Sequence, residues 1–363
     1  MRRSVVLTFK DNDSSGDVPT AQSRDLETIS LKDLESFKVC PGDIFFSPKR
    51  GNPIRLLRAG NAIYEEFIDK YKIKGLQSFK YLPMHNQKFI SECHELLMQL
   101  KLEIPEEQRL LARESLVKIF YDHYWEVNEE SNLLDLVIVC ANTFLRFKKE
   151  IIEELQDTSL LFYNRSLKVA SFSIIVAITL GYYDHDFLSD IYHTSFLLDY
   201  GLSGEKFTYH IVQACELERL NPGGGIAYLD DMGILDVGVE NEIDIFLNHP
   251  KKGLEKARIK CNETFHYPES LYLIEKHHES GNGKGFPGNL KGGELTDFDC
   301  ICVFTDQLVP FRDDPYKKGD GSGFIKNQVN AITREKSSLG GSNQRLLSRL
   351  DHEFKKMEKK KSA

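Results

Sequence analysis

One short segment carries residue types that could bind a metal ion and an anionic ligand together. Residues 277–288 read HHESGNGKGFPG, so two adjacent histidines precede a turn rich in glycine. Imidazole is a common metal ligand, and glycines let the backbone turn sharply and approach a ligand closely. Lys284 is placed to meet a phosphate. The segment therefore predicts a metal site that opens onto a ligand pocket.

The two histidines, His277 and His278, are predicted to end a helix over residues 268–278. Adjacent side chains on a helix project about 100° apart, so the two imidazoles can bracket a cluster that lies beside the helix. This arrangement suits two metal ions, or one metal ion and a phosphate. For a bare pair of histidines the alternative is that one is buried and hydrogen-bonded while the other is exposed.

A third histidine, His249, directly precedes Pro250. Proline disfavours the α conformation at the residue before it, so we expect a junction between helices over 240–248 and 250–260. Such a junction can turn a side chain inward. Taken alone, His249 could equally be an ordinary histidine at a helix end.

The order of these motifs resembles the HD-GYP branch of the HD-domain phosphohydrolases. The family signature is His-His-Glu, two free positions, Asp-Gly, one free position and Gly-Tyr-Pro. Here Asn282 replaces the Asp and Phe286 the Tyr, while His249-Pro250 matches a His-Pro pair that carries a metal ligand. The resemblance covers about residues 160–320.

The resemblance implies two carboxylate ligands as well. Asp199 matches the Asp of the family's His-Asp dyad, although Leu198 replaces the dyad His and Leu202 a following Lys. Asp306, at the end of an apolar stretch, is the fifth implied ligand. Asp231 is a rival for the dyad position, because the interval from Asp199 to His249 is longer than usual for the family. Without the resemblance, Asp199 could be a turn residue and Asp306 a capping residue.

Arg165 stands where the family has another histidine ligand. A guanidinium cannot ligate a metal, so we expect it to hold a phosphate instead. We expect Glu279 to orient one imidazole from outside the ligand set. The remaining predicted substrate contacts are Gly283, Lys284, Gly285, Phe286 and Lys317.

The resemblance implies a metal-dependent phosphodiesterase that acts on cyclic di-GMP or a related cyclic dinucleotide. Asp199 and Lys284 would be catalytic, and two iron ions would be bound, with manganese or zinc as alternatives. The replaced motif residues weaken this interpretation and leave a second one open. In it, the protein is a catalytically silent nucleotide sensor or interaction module, with a cyclic-dinucleotide synthase docking on the Gly-Phe-Pro loop.

The elements that must position these residues are predicted to be mainly α-helical. We expect a C-terminal all-α HD-domain helical bundle and a smaller N-terminal α/β-plus-helical domain. The predicted boundaries are a disordered arm at 1–28, an N-terminal regulatory domain at 29–130, a connecting helix at 131–156, an HD-GYP-like metal-binding domain at 157–350 and a basic tail at 351–363.

Within the N-terminal domain, two short segments rich in apolar residues flank a proline- and glycine-containing turn and predict a hairpin at 43–47 and 54–57. A further strand is expected at 78–82, a helix at 62–74, and more helices from about 86 to 126. The apolar face of the connecting helix could support a homodimer or belong to the core of one chain.

Composition excludes several classes of protein. Lys and Arg number 47 and Asp and Glu 55, which gives a net charge of -8 and argues against sequence-independent DNA or RNA binding. The 7 cysteines are scattered, as in a cytoplasmic protein with reduced thiols. We expect neither a signal peptide nor a membrane span.

Overall fold

The computed structural model describes residues 26–48, 52–127, 130–205, 208–235, 240–311, 316–334 and 341–361. Its architecture is mainly helical, with a four-stranded antiparallel sheet ahead of a large helical bundle. The predicted fold class is confirmed. The predicted disordered arm lies, up to residue 25, outside the described residues.

The sheet is formed by short strands in the order β1-β4-β2-β3, all antiparallel. Its elements are β1 (Glu27–Ser30), α1 (Leu31–Glu35), β2 (Gly42–Phe46), β3 (Ile54–Leu57), α2 (Glu65–Ile73) and β4 (Ser78–Pro83). The predicted hairpin and the strand at 78–82 are confirmed. The end of the arm at residue 28 is wrong, because β1 pairs with β4 and buries Ile29 in the small core of this unit.

The helices of the bundle are α3 (Gln87–Lys101), α4 (Glu106–Phe120), α5 (Leu133–Phe144), α6 (Lys149–Thr158), α7 (Leu160–Thr179), α8 (His185–Phe196), α9 (Tyr209–Leu220), α10 (Gly224–Leu235), α11 (Glu240–Lys260), α12 (Asp297–Leu308), α13 (Phe324–Arg334) and α14 (Gly341–Lys361). Helix α7 is central, and its neighbours include α4, α5, α6, α8, α12 and α14. A π-helical turn, Tyr121–Trp125, extends α4, and 3₁₀ turns lie at Tyr200–Leu202, Asn262–Thr264, Pro268–Lys276 and Gly292–Glu294.

Helix α7 is long and apolar enough to cross a membrane, by length and composition alone. Its most apolar window is 83% buried inside the fold. A helix that is apolar all round can be the core helix of a large domain, and the packing of α7 against its neighbours fits that role.

The predicted connecting helix over 131–156 is wrong as a single helix, because two helices, α5 and α6, occupy this stretch. The chain leaves the helix at Leu145, which has an extended conformation. Leu145 and Phe147 are buried while Arg146 between them is exposed. An extended link directs both apolar side chains inward, which a continuous helix would not do.

The main core joins residues from both sides of the predicted boundary at 130. It extends from Val39 to Phe354 and includes residues of α3, α4, α5 and α7. The predicted basic tail also needs correction, because α14 continues through it and buries Phe354 against Trp125. The sheet and the bundle are therefore the units that the packing distinguishes.

Candidate metal centre

Three imidazoles converge in the interior of the bundle. The Nε2 atom of His249 lies 3.1 Å from Nε2 of His277 and 3.1 Å from Nε2 of His278. His249 comes from α11, whereas His277 and His278 follow the 3₁₀ turn Pro268–Lys276. All three side chains are buried, with at most 6% of any residue exposed.

His249 lies inside the continuous helix α11, so the predicted helix junction before Pro250 is wrong. Pro250 lacks an N–H group and cannot donate to the carbonyl of Phe246, four residues earlier. That carbonyl instead accepts a hydrogen bond from Nδ1 of His249, at 2.6 Å. The proline therefore leaves an acceptor that fixes the tautomer of His249 and directs its Nε2 lone pair into the cluster.

His277 is oriented in the same way. It follows a 3₁₀ turn rather than ending the predicted α-helix, and its Nδ1 donates to the carbonyl of Ile274 at 2.7 Å. Since a carbonyl can only accept, neutral His249 and His277 both carry their proton on Nδ1. Their Nε2 lone pairs then face each other, which is unfavourable unless a proton or a metal ion lies between them.

Two of the three imidazoles are uncharged in this buried environment. Burial and the neighbouring His277 lower the pKa of His249 to about 3. Burial likewise holds the pKa of His278 well below its ordinary value. For His277 the effect of burial is outweighed by the nearby carboxylates of Asp199 and Asp306, so its pKa is raised. Two of the three imidazoles are thus neutral and able to act as ligands over the physiological pH range.

Asp199 completes the cluster from the end of α8, at the start of the 3₁₀ turn Tyr200–Leu202. Its Oδ1 atom lies 3.7 Å from Nε2 of both His249 and His277 and has no hydrogen-bond partner among the described residues. Gly201 allows this turn to approach α11, because a Cβ atom there would lie 1.8 Å from the carbonyl oxygen of His249.

The four side chains fit a metal ion. Ligand atoms around a tetrahedral zinc ion lie about 3.3 Å apart, since each bond is about 2.0 Å long. The observed separations of 3.1 and 3.7 Å lie on either side of this value. The buried group of Asp199, His249, His277 and His278 could therefore hold a metal ion.

Arg165, from α7, lies beside this group and is almost fully buried. Its guanidinium donates to Asp199 Oδ2 at 2.7 Å, to Asp306 Oδ1 at 2.7 Å and to the backbone carbonyls of Asp306 and Val309. Its other face lies 3.8 Å from the ring centroid of Phe311. The structure thus places Arg165 against protein acceptors, where the sequence suggested a substrate phosphate.

Asp306, in the last turn of α12, is held by Arg165 and does not belong to the group of four. Burial raises the pKa of Asp306, whereas Arg165 holds the pKa of Asp199 well below its usual range despite burial. The Arg165 guanidinium therefore supplies positive charge on the side of Asp199 that faces away from the imidazoles.

The glycine-rich segment forms a fixed loop next to His278. The buried Glu279 carboxylate accepts hydrogen bonds from the backbone N–H groups of Gly288 and Leu290, so it orients the loop and not, as predicted, an imidazole. A Cβ atom at Gly285 would lie 2.3 Å from the carbonyl oxygen of His278, so only glycine fits there.

The side chains of this loop differ in exposure. Phe286 is buried and stacks on His278, with ring centroids 4.6 Å apart. Lys284 is exposed and its backbone N–H donates to Asn282 Oδ1. The aromatic ring of Phe286 therefore covers the histidines, and the lysine faces outward. Gly283 has a positive φ of 77°, which suits glycine at this turn.

The long interval between Asp199 and His249 contains α9 and α10, which pack together against α11. Their core includes Cys215, Phe246 and Phe286, so this pair of helices covers the cluster on the side of the glycine-rich loop. The rival Asp231 lies exposed on α10, outside the group of four. The length of this interval indicated an insertion in the sequence, but it did not indicate that the inserted helices cover the cluster.

Lys317 is exposed and lines a separate cavity together with Lys168, without any member of the cluster. The acceptor carbonyls of Phe246 and Ile274 were not predicted, because backbone acceptors leave no mark in residue types.

Comparisons with known proteins give one structural likeness. No protein-family model matches the chain, and no curated protein matches it by sequence. Among solved structures, Bd1817, a HDG"Y"P protein from Bdellovibrio bacteriovorus, matches with a TM-score of 0.38 and 14% sequence identity. The match covers 91% of this chain and 100% of that one.

Proposed function

We propose that the protein is an HD-GYP-like metal-binding protein that holds one divalent ion and acts as a binding module in cyclic-dinucleotide signalling. The observation that carries this proposal is the arrangement of four protein ligand atoms around one point in a buried site, with Arg165 next to them. Each part of the arrangement favours a single, enclosed ion.

The ligand count favours a closed site. Structural zinc sites have four protein ligands, whereas catalytic sites keep a position open for water or substrate. Asp199, His249, His277 and His278 would fill a tetrahedral coordination shell, and all four are buried. Zinc fits this mixed nitrogen and oxygen set, as do iron and manganese.

The charge distribution favours one ion and not two. A second ion would need Asp306 and a ligand at position 165, but the Arg165 guanidinium occupies that position and pairs with both carboxylates. It would repel a neighbouring metal ion. Leu198, which replaces the dyad histidine, is buried and offers no ligand atom.

The binding role is supported by the motif resemblance and by the loop. The exposed Lys284 and Pro287 lie on a loop that Glu279 fixes from inside, so the loop can present a preformed surface. A cyclic dinucleotide or its synthase would meet that surface. All seven cysteines are buried and none of them forms a disulfide, in keeping with a cytoplasmic location.

A weak phosphodiesterase is the second candidate. It is favoured by the contact between the cluster and the loop, since Phe286 stacks on His278 while Lys284 is exposed nearby. A bound divalent ion would supply Lewis acidity toward a phosphoryl oxygen. Lys284 would hold the phosphate, and Asp199 would orient His249 and His277.

Elemental analysis of protein purified without a nickel column tests the metal proposal. We expect about one equivalent of metal per chain, and we expect His278→Ala to lose most of it because one of four ligands is missing. The matched control is Asp231→Ala, an exposed carboxylate outside the cluster, which should keep the metal. Two equivalents, or metal retained by His278→Ala, would contradict the single-ion site.

Chromatography of cyclic di-GMP incubated with the metal-loaded protein separates the two functions. The binding module predicts an unchanged dinucleotide, for the wild type and for Phe286→Tyr alike, together with measurable binding that Lys284→Gln weakens. Linear dinucleotide or GMP that forms with wild-type protein and not with His278→Ala would establish the phosphodiesterase instead.

A further inference from the structure

A cavity of about 270 Å³ lies where the N-terminal unit meets the helical bundle. Its described lining residues come from the segment between α1 and β2, from the start of α2, and from α6 with the link that precedes it. None of these segments borders a gap in the described residues, and none contains a member of the metal cluster. Ligand sites favour boundaries between units, and their volumes begin at about 300 Å³, so the cavity suits a small ligand.

The floor of the cavity is apolar. Leu145 and Phe147, the two side chains that the extended link turns inward, lie there with Ile152 of α6 and Ala62 of the N-terminal unit. All four residues are buried. Removing apolar surface from water is favourable, so this floor suits the apolar part of a ligand.

The rim of the cavity carries charged side chains of both signs. Lys149 and Glu66 line it but bond to each other at 2.9 Å, so they neutralise one another. Two exposed residues remain, Lys38 and Glu65. Neither side chain forms an ion pair or a hydrogen bond with another residue of the described chain. The rim therefore offers one positive and one negative group to a ligand.

The two charged residues line one cavity because the backbone holds their segments together. The N–H of Ile63 donates to the carbonyl of Lys38 at 3.0 Å, which joins the segment before β2 to the residues that lead into α2. The charge of Glu65 also acts on Lys72, but that lysine is bonded to Glu35 at 2.9 Å. A cationic group of a ligand would therefore meet a carboxylate that has no ion-pair partner.

We propose that this cavity binds a free α-amino acid with an apolar side chain. Lys38 would bind the carboxylate and Glu65 the ammonium group, while the apolar side chain would cover the floor. A ligand with a single charge would leave one of the two rim residues without a counterion. Residues of the N-terminal unit and of the bundle would contact the same molecule, so its binding would tie the two together. The proposal does not depend on the metal centre or its chemistry.

Isothermal titration calorimetry with L-leucine and two matched analogues tests the ligand class. The analogue 4-methylpentanoate lacks the ammonium group and 3-methylbutylamine lacks the carboxylate, whereas both keep the apolar side chain. We expect leucine to bind about tenfold more tightly than either analogue, since each lacks one charged contact worth about 1.4 kcal/mol. Glycine keeps both charges but has no apolar side chain, and it should also bind more weakly than leucine.

Two variants assign each charge to its contact. Lys38→Gln and Glu65→Gln should each weaken leucine binding about tenfold. Lys38→Gln should leave the affinity for 3-methylbutylamine unchanged, because this analogue has no carboxylate to lose a contact. Glu65→Gln should likewise leave the affinity for 4-methylpentanoate unchanged. Each variant would then no longer discriminate leucine from the corresponding analogue.

The matched controls are Lys32→Gln on α1 and Asp69→Asn on α2, since both residues are exposed and lie outside the cavity. Each should change the affinity for leucine by less than about twofold. No detectable leucine binding, equal affinity for leucine and both analogues, or equal losses in the control variants would each overturn the proposal. Circular dichroism of every variant verifies the fold.

Discussion

At the scale of single residues, Arg165 most changes the interpretation of the site. Two carboxylates, Asp199 and Asp306, are buried near each other, and ions out of water need partners. A guanidinium has five donors in a planar fork, so it can bond to both at once and to nearby carbonyls. Arg165 does so with short contacts to both carboxylates.

We predict that Arg165→Met destabilises the protein by about 3–5 kcal/mol, because it leaves two buried carboxylates without their cation. Urea unfolding at neutral pH measures the effect. The matched control is Arg219→Met, since Arg219 is equally buried but its partner Glu216 is partly exposed. Adding Asp306→Asn to Arg165→Met should recover part of the loss. Equal losses in the two arginine variants would show that the carboxylate pair is unimportant.

The sequence identified the individual candidate ligands, but it did not show which residues contact one another in the fold. Asp199, His249, His277 and His278 were identified by motif order, and the structure brings them together. Asp306 was identified in the same way but is paired with Arg165. Motif order does not reveal which carboxylate a neighbouring arginine will take, because that depends on the packing of α7 against α12.

At the scale of elements, α11 contains a proline that serves the metal centre. An interior proline costs a helix about 3 kcal/mol, since one hydrogen bond is lost and the ring crowds the preceding turn. In α11 the freed carbonyl of Phe246 is used by His249. The carbonyl that the proline leaves without a helical partner thus orients a candidate metal ligand.

We predict that Pro250→Ala lowers metal affinity while leaving the helix intact. The alanine N–H would compete with His249 for the carbonyl of Phe246, and losing such an outer contact typically costs about 10–100-fold in affinity. Competition with a chromophoric chelator measures the change. Lys251→Ala, one residue later on α11, should bind metal like the wild type. Unchanged affinity in Pro250→Ala would mean that the carbonyl does not orient the imidazole.

Element type was predictable where the apolar pattern was regular, as for the β2–β3 hairpin and the helices near 62–74 and 86–126. It failed where tertiary contacts outweighed the local signal. The helix ends at Leu145 because the side chains of Leu145 and Phe147, two residues apart, are both buried. Helix α11 continues through Pro250 because the His249 side chain donates the hydrogen bond that the proline cannot donate. Neither of these tertiary contacts can be predicted from the local sequence.

At the scale of the whole molecule, polar contacts tie both the N-terminal unit and the segment that leads from it into the bundle to helix α5. Oδ1 of Asp135, at the start of α5, accepts a hydrogen bond of 2.6 Å from the backbone N–H of Asn86, at the start of α3. The backbone N–H of Lys38 donates to Asn142 at 2.8 Å. Burial raises the pKa of Asp135 to about 7, although the bond from Asn86 opposes the shift.

We predict that this group makes stability fall as pH rises from about 4 to 7. The ordinary pKa of an aspartate is about 4, so in this range the folded chain binds more protons than the unfolded chain and loses stability as pH increases. Asp135→Asn should remove a decrease on the order of 4 kcal/mol, about 1.4 kcal/mol for each pH unit between the two pKa values, measured by urea unfolding across the window. The exposed Asp69→Asn should retain the wild-type slope. An identical slope in Asp135→Asn would contradict the assignment.

The arginine beside the cluster also affects how the protein would respond to metal supply. The Arg165 guanidinium is part of the chain, so a chelator cannot remove it and another ion cannot replace it. Asp199 and Asp306 therefore always have this cation beside them. A single exchangeable ion per chain loads along a simple hyperbola with rising concentration, without the cooperativity that a pair of ions can show. With the proposed single-ion site, the fraction of protein that holds metal would thus rise gradually with metal concentration, without a threshold.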